Sequence, residues 1–442
     1  MTGGKRQILD MNAFDPGAAA QSPPVARRLG NLGAASVLFY REPIEMVAAE
    51  GAWMQARDGR RYLDFYNNVP SVGHSHPAVV AAVTDQIARL NTNTRYVVGV
   101  VDDYLDALKA RLPETLANVV MTCSGSEAND LAIRVARAVT GARGVIVTET
   151  AYHGNTDLVT AVSPSALKRG DVPDWVALVP APDMGPGYGS GSDTGPADRF
   201  GAEVARAAAD LAARGHGVAA FLADSIFSSD GVYADPPGLL APAVAAARAA
   251  GGLFIADEVQ PGFGRTGASF WGFERHGVTP DIVTMGKPMG NGFPMAAMAA
   301  RPDHLAAFCR DTGYFNTFGG NPVAAAAGHA VLRVISAEGL QDNALRAGDR
   351  LKAGLARLAE AHEVIGDRRG VGLFLGVDIR GPAGPDAGAT TRIINGLRDE
   401  GVLIGAAGKW GATLKIRPPL CLTADEVDLF LDALGRVLAK GV

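Results

Sequence analysis

The sequence contains few cysteines. Only three occur in 442 residues, Cys123, Cys309 and Cys421, and no two of them form a CxxC pair. A disulfide scaffold and a cysteine-rich zinc site both need several closely spaced cysteines, so the sequence excludes both. The small number of cysteines also suits a reducing compartment, and we expect a cytoplasmic protein.

The chain also lacks an excess of positive charge and long apolar runs. Lys and Arg number 41 against 46 Asp and Glu, which gives a net charge of −5, and no dense basic run occurs. Such a chain has no overall field that attracts nucleic acid. No uninterrupted apolar run reaches the roughly 18 residues that span a bilayer, and the N-terminus has no apolar core of a secretory signal. We therefore expect neither nucleic acid nor a membrane as a partner.

What the sequence does contain is an alternation of short apolar runs and helical patterns between about residues 100 and 300. The runs are 118–123, 144–149, 218–224, 253–259 and 281–286. Runs of this kind, bounded by glycine and polar residues, are typical of strands buried on both faces of a mostly parallel sheet. The alternation predicts an α/β architecture with a mostly parallel central sheet flanked by helices.

Composition and patterning divide the chain into four segments. Residues 1–35 have little periodicity and are predicted to be a flexible N-terminal arm, and residues 36–75 contain strands that join a smaller domain. Residues 76–330 form the predicted large domain, and residues 331–442 form a smaller α+β domain at the C-terminus. A chain of this length is long enough for two or three domains.

Ligands of open α/β sheets bind beyond the carboxyl ends of the strands, so the residues that follow the apolar runs are the candidates for chemistry. Ser124, Gly125 and Ser126 lead from one run into a helical pattern. A turn of small residues at a helix N-terminus offers free N–H groups to a phosphate. Ordinary N-capping of the helix explains the same residues equally well.

Two charged residues end neighbouring runs. Asp257 can cap a loop or pair with Arg265, whereas a functional role would need a cationic partner such as a protonated ring nitrogen. Lys287 can be an ordinary solvated lysine, but a lysine near apolar walls and other cations has a lowered pKa and can form a Schiff base. Together with the predicted phosphate turn, the acid and the lysine form a constellation that favours chemistry.

Two other motifs are weaker. The segment 262–267 fits GxGxxG, but no acid ends the following strand, so a dinucleotide site is a poor interpretation. His74 and His76 have no partner cluster in the sequence, and we expect no metal site.

From about residue 36 to the end, the sequence resembles the class III (ornithine/ω-amino-acid type) aminotransferases, which have the pyridoxal-phosphate fold type I. The motifs that carry the resemblance are SGSEAND (124–130), AYHG (151–154), ADEVQPGFGRTG (256–267), GKPMGNGFPM (286–295), NTFGGNP (316–322) and LKIRPPL (414–420). The segments 66–77 and 91–96 are similar to a branch that also contains amino-alcohol-phosphate phospho-lyases.

The resemblance implies pyridoxal 5′-phosphate (PLP) as the cofactor. Lys287 would hold it as an internal aldimine and then move a proton between the substrate α-carbon and the cofactor. Asp257 would pair with the pyridinium nitrogen, Gln260 would lie near the ring hydroxyl, and Tyr152 would stack on the ring. The other implied cofactor contacts are Ser124, Gly125, Ser126, His153, Asp224 and Thr317.

Thr317 would reach the cofactor phosphate of the neighbouring subunit, because the active sites of the family lie at a dimer interface. The resemblance therefore implies a homodimer with shared active sites, and it leaves open whether dimers pair into tetramers.

The substrate end departs from the family pattern. The family commonly has Glu at the position of Asp224, and a carboxylate-binding Arg at the position of Lys415. Strand alternation places Lys415 and Arg417 on one face, so either could bind a substrate anion. Lysine lacks the bidentate fork with which arginine grips a carboxylate, and the phospho-lyase branch shares the lysine pattern.

The leading hypothesis from the sequence is a ping-pong aminotransferase that moves an amino group from an amine or (ω-)amino acid to a keto acid or aldehyde. One alternative is a phospho-lyase on a phosphorylated amino alcohol, with Lys415, Arg417 and Arg95 as candidate phosphate ligands. A racemase or epimerase on the same fold is another. A catalytically silent binding protein would need neither Lys287 nor Asp257, and both residues are present.

Overall fold

The computed structural model describes residues 22–182 and 195–441, together with residues 11, 14, 15 and 17. Much of the predicted arm, residues 1–35, lies outside the described residues. Its described part contains a helix, Pro23–Leu32, that the sequence analysis did not anticipate. The helix begins with two prolines, whose fixed φ and missing N–H are tolerated in the first helical turn.

The described residues form twelve α-helices and sixteen strands. The helices are α1 (Pro23–Leu32), α2 (Pro77–Ile87), α3 (Gly99–Lys109), α4 (Gly125–Thr140), α5 (Asp157–Ala161), α6 (Pro196–Ala213), α7 (Ala241–Ala249), α8 (Pro302–Asp311), α9 (Pro322–Ala337), α10 (Leu340–Ala361), α11 (Ala387–Asp399) and α12 (Ala424–Ala439). The strands are β1 (Met46–Glu50), β2 (Trp53–Ala56), β3 (Arg61–Asp64), β4 (Asn118–Thr122), β5 (Gly144–Thr148), β6 (Val176–Val179), β7 (Val218–Asp224), β8 (Leu253–Asp257), β9 (Ile282–Met285), β10 (Ala296–Ala300), β11 (Ile365–Val371), β12 (Phe374–Gly381), β13 (Gly384–Pro385), β14 (Val402–Leu403), β15 (Gly405–Ala407) and β16 (Thr413–Ile416).

No single described helix has both the length and the apolar composition to cross a membrane. Only the pair α9 and α10, bent by 62° at their junction, meets that criterion when the two helices are taken together.

The largest sheet has seven strands in the order β4-β10-β9-β8-β7-β5-β6. Strands β5 to β9 pair in parallel, whereas β10 runs antiparallel to both of its neighbours. Helices such as α4 and α6 pack against these strands, whose side chains are largely buried on both faces. The predicted α/β class with a mostly parallel central sheet is confirmed.

Two smaller sheets complete the fold. One has the order β1-β2-β3-β14, and the other contains β11, β12, β16 and β15. Strand β14 pairs in parallel with β3, so the N-terminal strands share a sheet with a strand from the last fifth of the chain. Phe65 stacks on Phe430 of α12 with ring centroids 4.2 Å apart, which adds apolar contact between the two ends of the chain. The exact domain bounds stay a prediction.

Candidate active site

Three polar side chains lie in register at the carboxyl ends of neighbouring strands of the large sheet. Asp224 at the end of β7 is opposite Asp257 at the end of β8, and Asp257 is opposite Thr284 of β9. Lys287 follows β9 after one residue. It lies close enough to Asp257 and Asp224 for their negative charges to raise the pKa of its ammonium group. The parallel strands thus bring together the acid and the lysine that the sequence singled out.

Asp257 is 5% exposed and has a nearly complete set of hydrogen bonds. Its Oδ2 accepts from Asn129 Nδ2 at 3.0 Å and lies 2.7 Å from His153 Nδ1, while its Oδ1 accepts from the Val259 amide at 3.0 Å. A carboxylate has about four acceptor positions. Three are filled, so one position on Oδ1 is left for a further donor such as a protonated ring nitrogen.

Lys287 begins a short 3₁₀ turn, Lys287–Gly290, that is held from the N-terminal segment. Ser71 Oγ donates to the carbonyl of Pro288 at 3.2 Å, and the Val72 amide donates to Asn291 Oδ1 at 3.0 Å.

The environment of Lys287 favours its neutral amine. Burial lowers the pKa of its ammonium group, and the positive charge of Arg417 lowers it further, while Asp257 partly opposes both effects. An amine with a lowered pKa is a better nucleophile near neutral pH, which is the property needed to form a Schiff base.

The turn before α4 both caps the helix and leaves amides free. Ser124 Oγ accepts from the Glu127 amide at 3.3 Å, whereas the amides of Gly125 and Ser126 have no protein acceptor among the described residues. Gly154 packs so closely that a Cβ there would lie 2.5 Å from Ser126 Oγ. The turn can therefore both cap the helix and bind a phosphate, because the cap uses Ser124 and the amides of the next two residues stay free to bind an anion.

Gln260 and Tyr152 are the residues that the resemblance assigns to the cofactor ring. Gln260 Oε1 accepts from Arg417 Nη1 at 2.9 Å and from Asn68 Nδ2 at 3.2 Å, and its Nε2 donates to Ser228 Oγ at 2.6 Å. Tyr152 is half-buried, and burial raises the pKa of its hydroxyl. Gln260 is thus fixed from both sides.

The two candidate substrate cations differ in their partners. Arg417 donates through Nη1 to Gln260 and to Asn68 Oδ1 at 3.3 Å, and its guanidinium lies 4.5 Å from the ring centroid of Tyr66. Lys415 is 2% exposed and lies 5.4 Å from the ring centroid of Phe374. Its ammonium group makes no hydrogen bond or ion pair with any residue that the structure describes.

The electrostatic neighbours of Lys415 belong to the same site. Burial lowers the pKa of its ammonium group well below the ordinary value, the charges of Arg417 and Lys287 lower it further, and Asp224 opposes them. Asp224 forms no ion pair with any residue that the structure describes, and its oxygens accept from the amides of Ile226 at 2.9 Å and Ser228 at 3.1 Å. Burial, followed by the charge of Asp257, raises the pKa of its carboxyl group.

Thr317 is exposed on the segment between α8 and α9, and it makes no hydrogen bond with the residues that the structure describes. The adjacent Asn316 donates to Glu127 Oε2 of α4 at 3.3 Å, so this segment lies against the start of the same helix.

Sequence reasoning missed Asn129 and Asn68. Asn129 is fully buried on a face of α4 that also contains the buried apolar residues Ala132 and Ile133. A buried amide on such a face must find partners, and this would have been the signal. Asn68 had no comparable signal, because its partners are almost 200 residues or more away.

The model of the class III aminotransferases ("Aminotransferase class-III") matches residues 40–438. The chain belongs to this family.

Three relatives show the range of the likeness. An Arthrobacter phospholyase solved in complex with phosphoethanolamine is 41% identical, with a TM-score of 0.90 over 94% of this chain and 99% of that one. A Drosophila melanogaster protein named alanine–glyoxylate aminotransferase 2-like is 40% identical over 93% of this chain and 86% of its own. Ethanolamine-phosphate phospho-lyase homolog 1 of Caenorhabditis elegans is 38% identical over 93% and 92%.

The family depends on PLP, which confirms the predicted cofactor. The residues of this chain fit it, because a lysine with a lowered pKa, a carboxylate with one free acceptor position and a helix N-terminus with free amides lie around one sheet edge. Lys287, Asp257, Gly125 and Ser126 are the residues that would hold it.

Proposed function

We propose that this protein is a PLP-dependent phospho-lyase that acts on a phosphorylated amino alcohol. The observation that carries the proposal is Lys415, whose buried side chain makes no hydrogen bond or ion pair with any described residue and whose ammonium group lies 5.4 Å from the ring centroid of Phe374. A buried charge of this kind is costly unless an anion accompanies it. A point charge suits a phosphate oxygen, whereas a carboxylate is gripped best by the two-pronged guanidinium of arginine.

The likeness to a phospholyase bound to phosphoethanolamine supports the same substrate class. When bound, PLP supplies an electron sink for the substrate carbon that carries the amine. The amine of Lys287 takes the proton from that carbon. The C–O bond on the adjacent carbon then breaks, and its electron pair leaves with the phosphate, which Lys415 binds. Water completes the reaction, so that phosphoethanolamine gives acetaldehyde, ammonia and inorganic phosphate.

The test is to incubate the purified holoenzyme with phosphoethanolamine and to measure inorganic phosphate, acetaldehyde and ammonia. We expect the three products in equal amounts, without any requirement for a keto acid. Transfer of the amine to a keto acid with the phosphate ester intact would overturn the proposal. Ethanolamine without its phosphate is the matched control, and it should not react.

The second candidate is the aminotransferase that the sequence favoured. Its support is the relative named alanine–glyoxylate aminotransferase 2-like, which is as similar to this chain as the phospho-lyases are. An amino donor such as alanine, added without an acceptor, should then bleach the visible band of the bound cofactor, and a keto acid should restore it. Exchange of the α-hydrogen without any acceptor would instead point to a racemase or epimerase.

We also propose that the enzyme is a homodimer with shared active sites. The side chain of Thr317 is exposed, and so are apolar side chains of its own segment and of residues 96–97, which line one cavity together with Phe315 and Asn316. Val97 is 95%, Phe318 72% and Tyr96 68% exposed. Apolar groups exposed to this extent mark an interaction surface. A second copy would cover them and bring Thr317 to the neighbouring phosphate turn.

The oligomeric state tests this part of the proposal. We expect Val97→Asp to shift the protein from dimer to monomer in sedimentation, and to weaken PLP binding as well. Leu429→Asp is the matched control, since Leu429 is also an exposed apolar residue, at 49%, but lies on α12. A wild-type monomer with full activity would contradict the proposal.

A further inference from the structure

One buried amide connects three parts of the cofactor site. Asn129 Nδ2 donates to Asp257 Oδ2 at 3.0 Å and to the carbonyl of His153 at 2.8 Å, and its Oδ1 accepts from Thr284 Oγ1 at 2.6 Å. The side chains of Asn129 and Thr284 are completely buried. Both amide hydrogens are used, so this side chain has no donor left for any other partner.

The second donor to Asp257 is held by the same amide. His153 Nδ1 lies 2.7 Å from Asp257 Oδ2, and its backbone is fixed by Asn129 at the carbonyl and by Ser163 Oγ, 2.9 Å from the amide nitrogen. His153 does not itself complete its hydrogen bonds, because its Nε2 is buried without a partner among the described residues. The imidazole therefore contacts Asp257, and the predicted contact of His153 with the cofactor stays a prediction.

The position of Asn129 in α4 links the anchor of Asp257 to the phosphate-binding turn. The free amides of Gly125 and Ser126 open this helix, and Asn129 follows Gly125 by four residues, about one helical turn. One rigid element thus carries the phosphate-binding turn at its start and the anchor of Asp257 one turn later. The distance between the two ends of the cofactor site is set within this helix.

Thr284 determines which way the amide of Asn129 faces. Its hydroxyl donates to Asn129 Oδ1, which leaves Nδ2 directed at Asp257. In the flipped orientation the amide oxygen would lie against the carboxylate of Asp257, two acceptors would meet, and both would lose a hydrogen bond in a buried site. The hydroxyl is thus two hydrogen bonds away from Asp257 Oδ2, and the other oxygen of the same carboxylate has the free position for the cofactor ring.

We propose that Asn129 is a positioning residue that fixes the orientation of Asp257 relative to the phosphate-binding turn, with Thr284 fixing the orientation of the Asn129 amide. Without this pair, Asp257 would lose one of three donors and would rotate more freely. Its free acceptor position would then no longer point at the ring nitrogen when the phosphate is bound. The inference holds for a phospho-lyase and for an aminotransferase alike.

The decisive variants are Thr284→Val, which removes the hydroxyl at nearly constant shape, and Thr284→Ser, which restores it. We expect Thr284→Val to weaken PLP binding severalfold and to shift the pH midpoint of the visible absorption of the bound cofactor, while Thr284→Ser behaves like the wild type. Asn129→Ala should act in the same direction and more strongly, by about 10- to 100-fold in the PLP dissociation constant, as for hydrogen-bond partners behind metal ligands.

The absorption midpoint separates positioning from a merely structural role. A structural role alone would lower the melting temperature of Thr284→Val and leave the midpoint and the PLP dissociation constant unchanged, and that result would overturn the inference. The pair of Thr284 variants remains decisive even if Asn129→Ala does not fold. Because none of these measurements needs a substrate, failure here is distinguishable from failure of the proposed reaction.

Discussion

The two ends of the active site are built in opposite ways. At the ring end, three of the four acceptor positions of Asp257 are filled by Asn129, His153 and Val259. At the substrate end, the side chain of Lys415 is buried, and its ammonium group makes no hydrogen bond or ion pair with any described residue. The hydrogen bonds of the ring end are nearly complete without a ligand, whereas the charged group of the substrate end has no hydrogen bond or ion pair with the described residues.

The difference follows from what each end has to bind. A resident cofactor is always the same molecule, so a rigid network can be organised around its one missing donor at little cost. A substrate binds and dissociates in every turnover. The group that binds its charge therefore has to be held in place without being neutralised by a protein partner. We therefore expect the end of the site that contains Lys415 to determine substrate choice.

The largest effect should come from Lys287, which lies between the two ends. We expect Lys287→Ala to reduce turnover by a factor on the order of 10⁴ or more, because the nucleophile and proton carrier are lost together. Phosphate release from phosphoethanolamine measures turnover, and the visible band lost on dialysis measures cofactor attachment. Lys352→Ala, on the exposed side of α10, is the control. Full turnover of Lys287→Ala would refute the whole assignment.

Asp257→Asn should damage the ring end alone. The amide of the variant would place a donor against either Asn129 and His153 or the Val259 amide, and the negative charge would be lost. A mispaired, formerly charged hydrogen bond costs roughly 3 kcal/mol, or about 100-fold in PLP affinity. Equilibrium dialysis measures this affinity, with Asp432→Asn on the surface of α12 as control. Unchanged PLP affinity would contradict the ring-end network.

Lys415→Met should damage the substrate end alone. Since a hydrogen bond to a charged group contributes about 1.5–3 kcal/mol, we expect KM for phosphoethanolamine to rise roughly 10- to 100-fold. The PLP dissociation constant should stay at the wild-type value. Lys415→Arg keeps the charge with a different shape, and it should recover part of the affinity. If Lys415→Met loses cofactor as readily as Asp257→Asn does, the two ends are not independent.

The smallest effect is a pH dependence at the same end. Lysine is charged below its pKa, and the pKa of Lys415 is well below the ordinary value because of burial and the nearby Arg417 and Lys287, against the opposing charges of Asp224 and Asp230. Inhibition by inorganic phosphate should therefore weaken as pH rises through this lowered pKa. In Lys415→Arg the guanidinium stays charged, so the inhibition should keep only the titration of phosphate itself. Parallel pH profiles of the two proteins would contradict the assignment.

The same contrast explains what could be predicted from the sequence. Five apolar runs became β4, β5, β7, β8 and β9, because strands buried on both faces have a continuous apolar pattern. Strand β10 was missed, since its sequence AAMAA consists of residues with little strand preference, and only its two neighbours in the sheet make it a strand.

Some residues of the site could also be predicted from the sequence, and others could not. Lys287 and Asp257 were found because the end of a strand is visible in the sequence and predicts where a side chain is placed. The choice between Lys415 and Arg417 stayed open, because it depends on Asn68 and Gln260, which occupy one arginine nitrogen and belong to distant parts of the chain. Local patterns predict where a side chain is, and tertiary contacts decide whether it is already engaged.

The hydrogen bond between Arg417 and Asn68 joins residues 349 positions apart, and β14 pairs with β3 across a similar span. During synthesis from the N-terminus, Asn68 and Lys287 therefore emerge long before their last neighbours. Lys287, Asp257, Gly125 and Ser126 all precede residue 288, whereas strand β10, which joins β4 to β9, follows shortly after, and Lys415 and Arg417 follow only near the end of the chain. A nascent chain that has just passed β10 therefore contains the whole sheet edge that carries Lys287 and Asp257 but neither Lys415 nor Arg417, so the order of synthesis completes the cofactor side of the site before the two cations proposed to select the substrate.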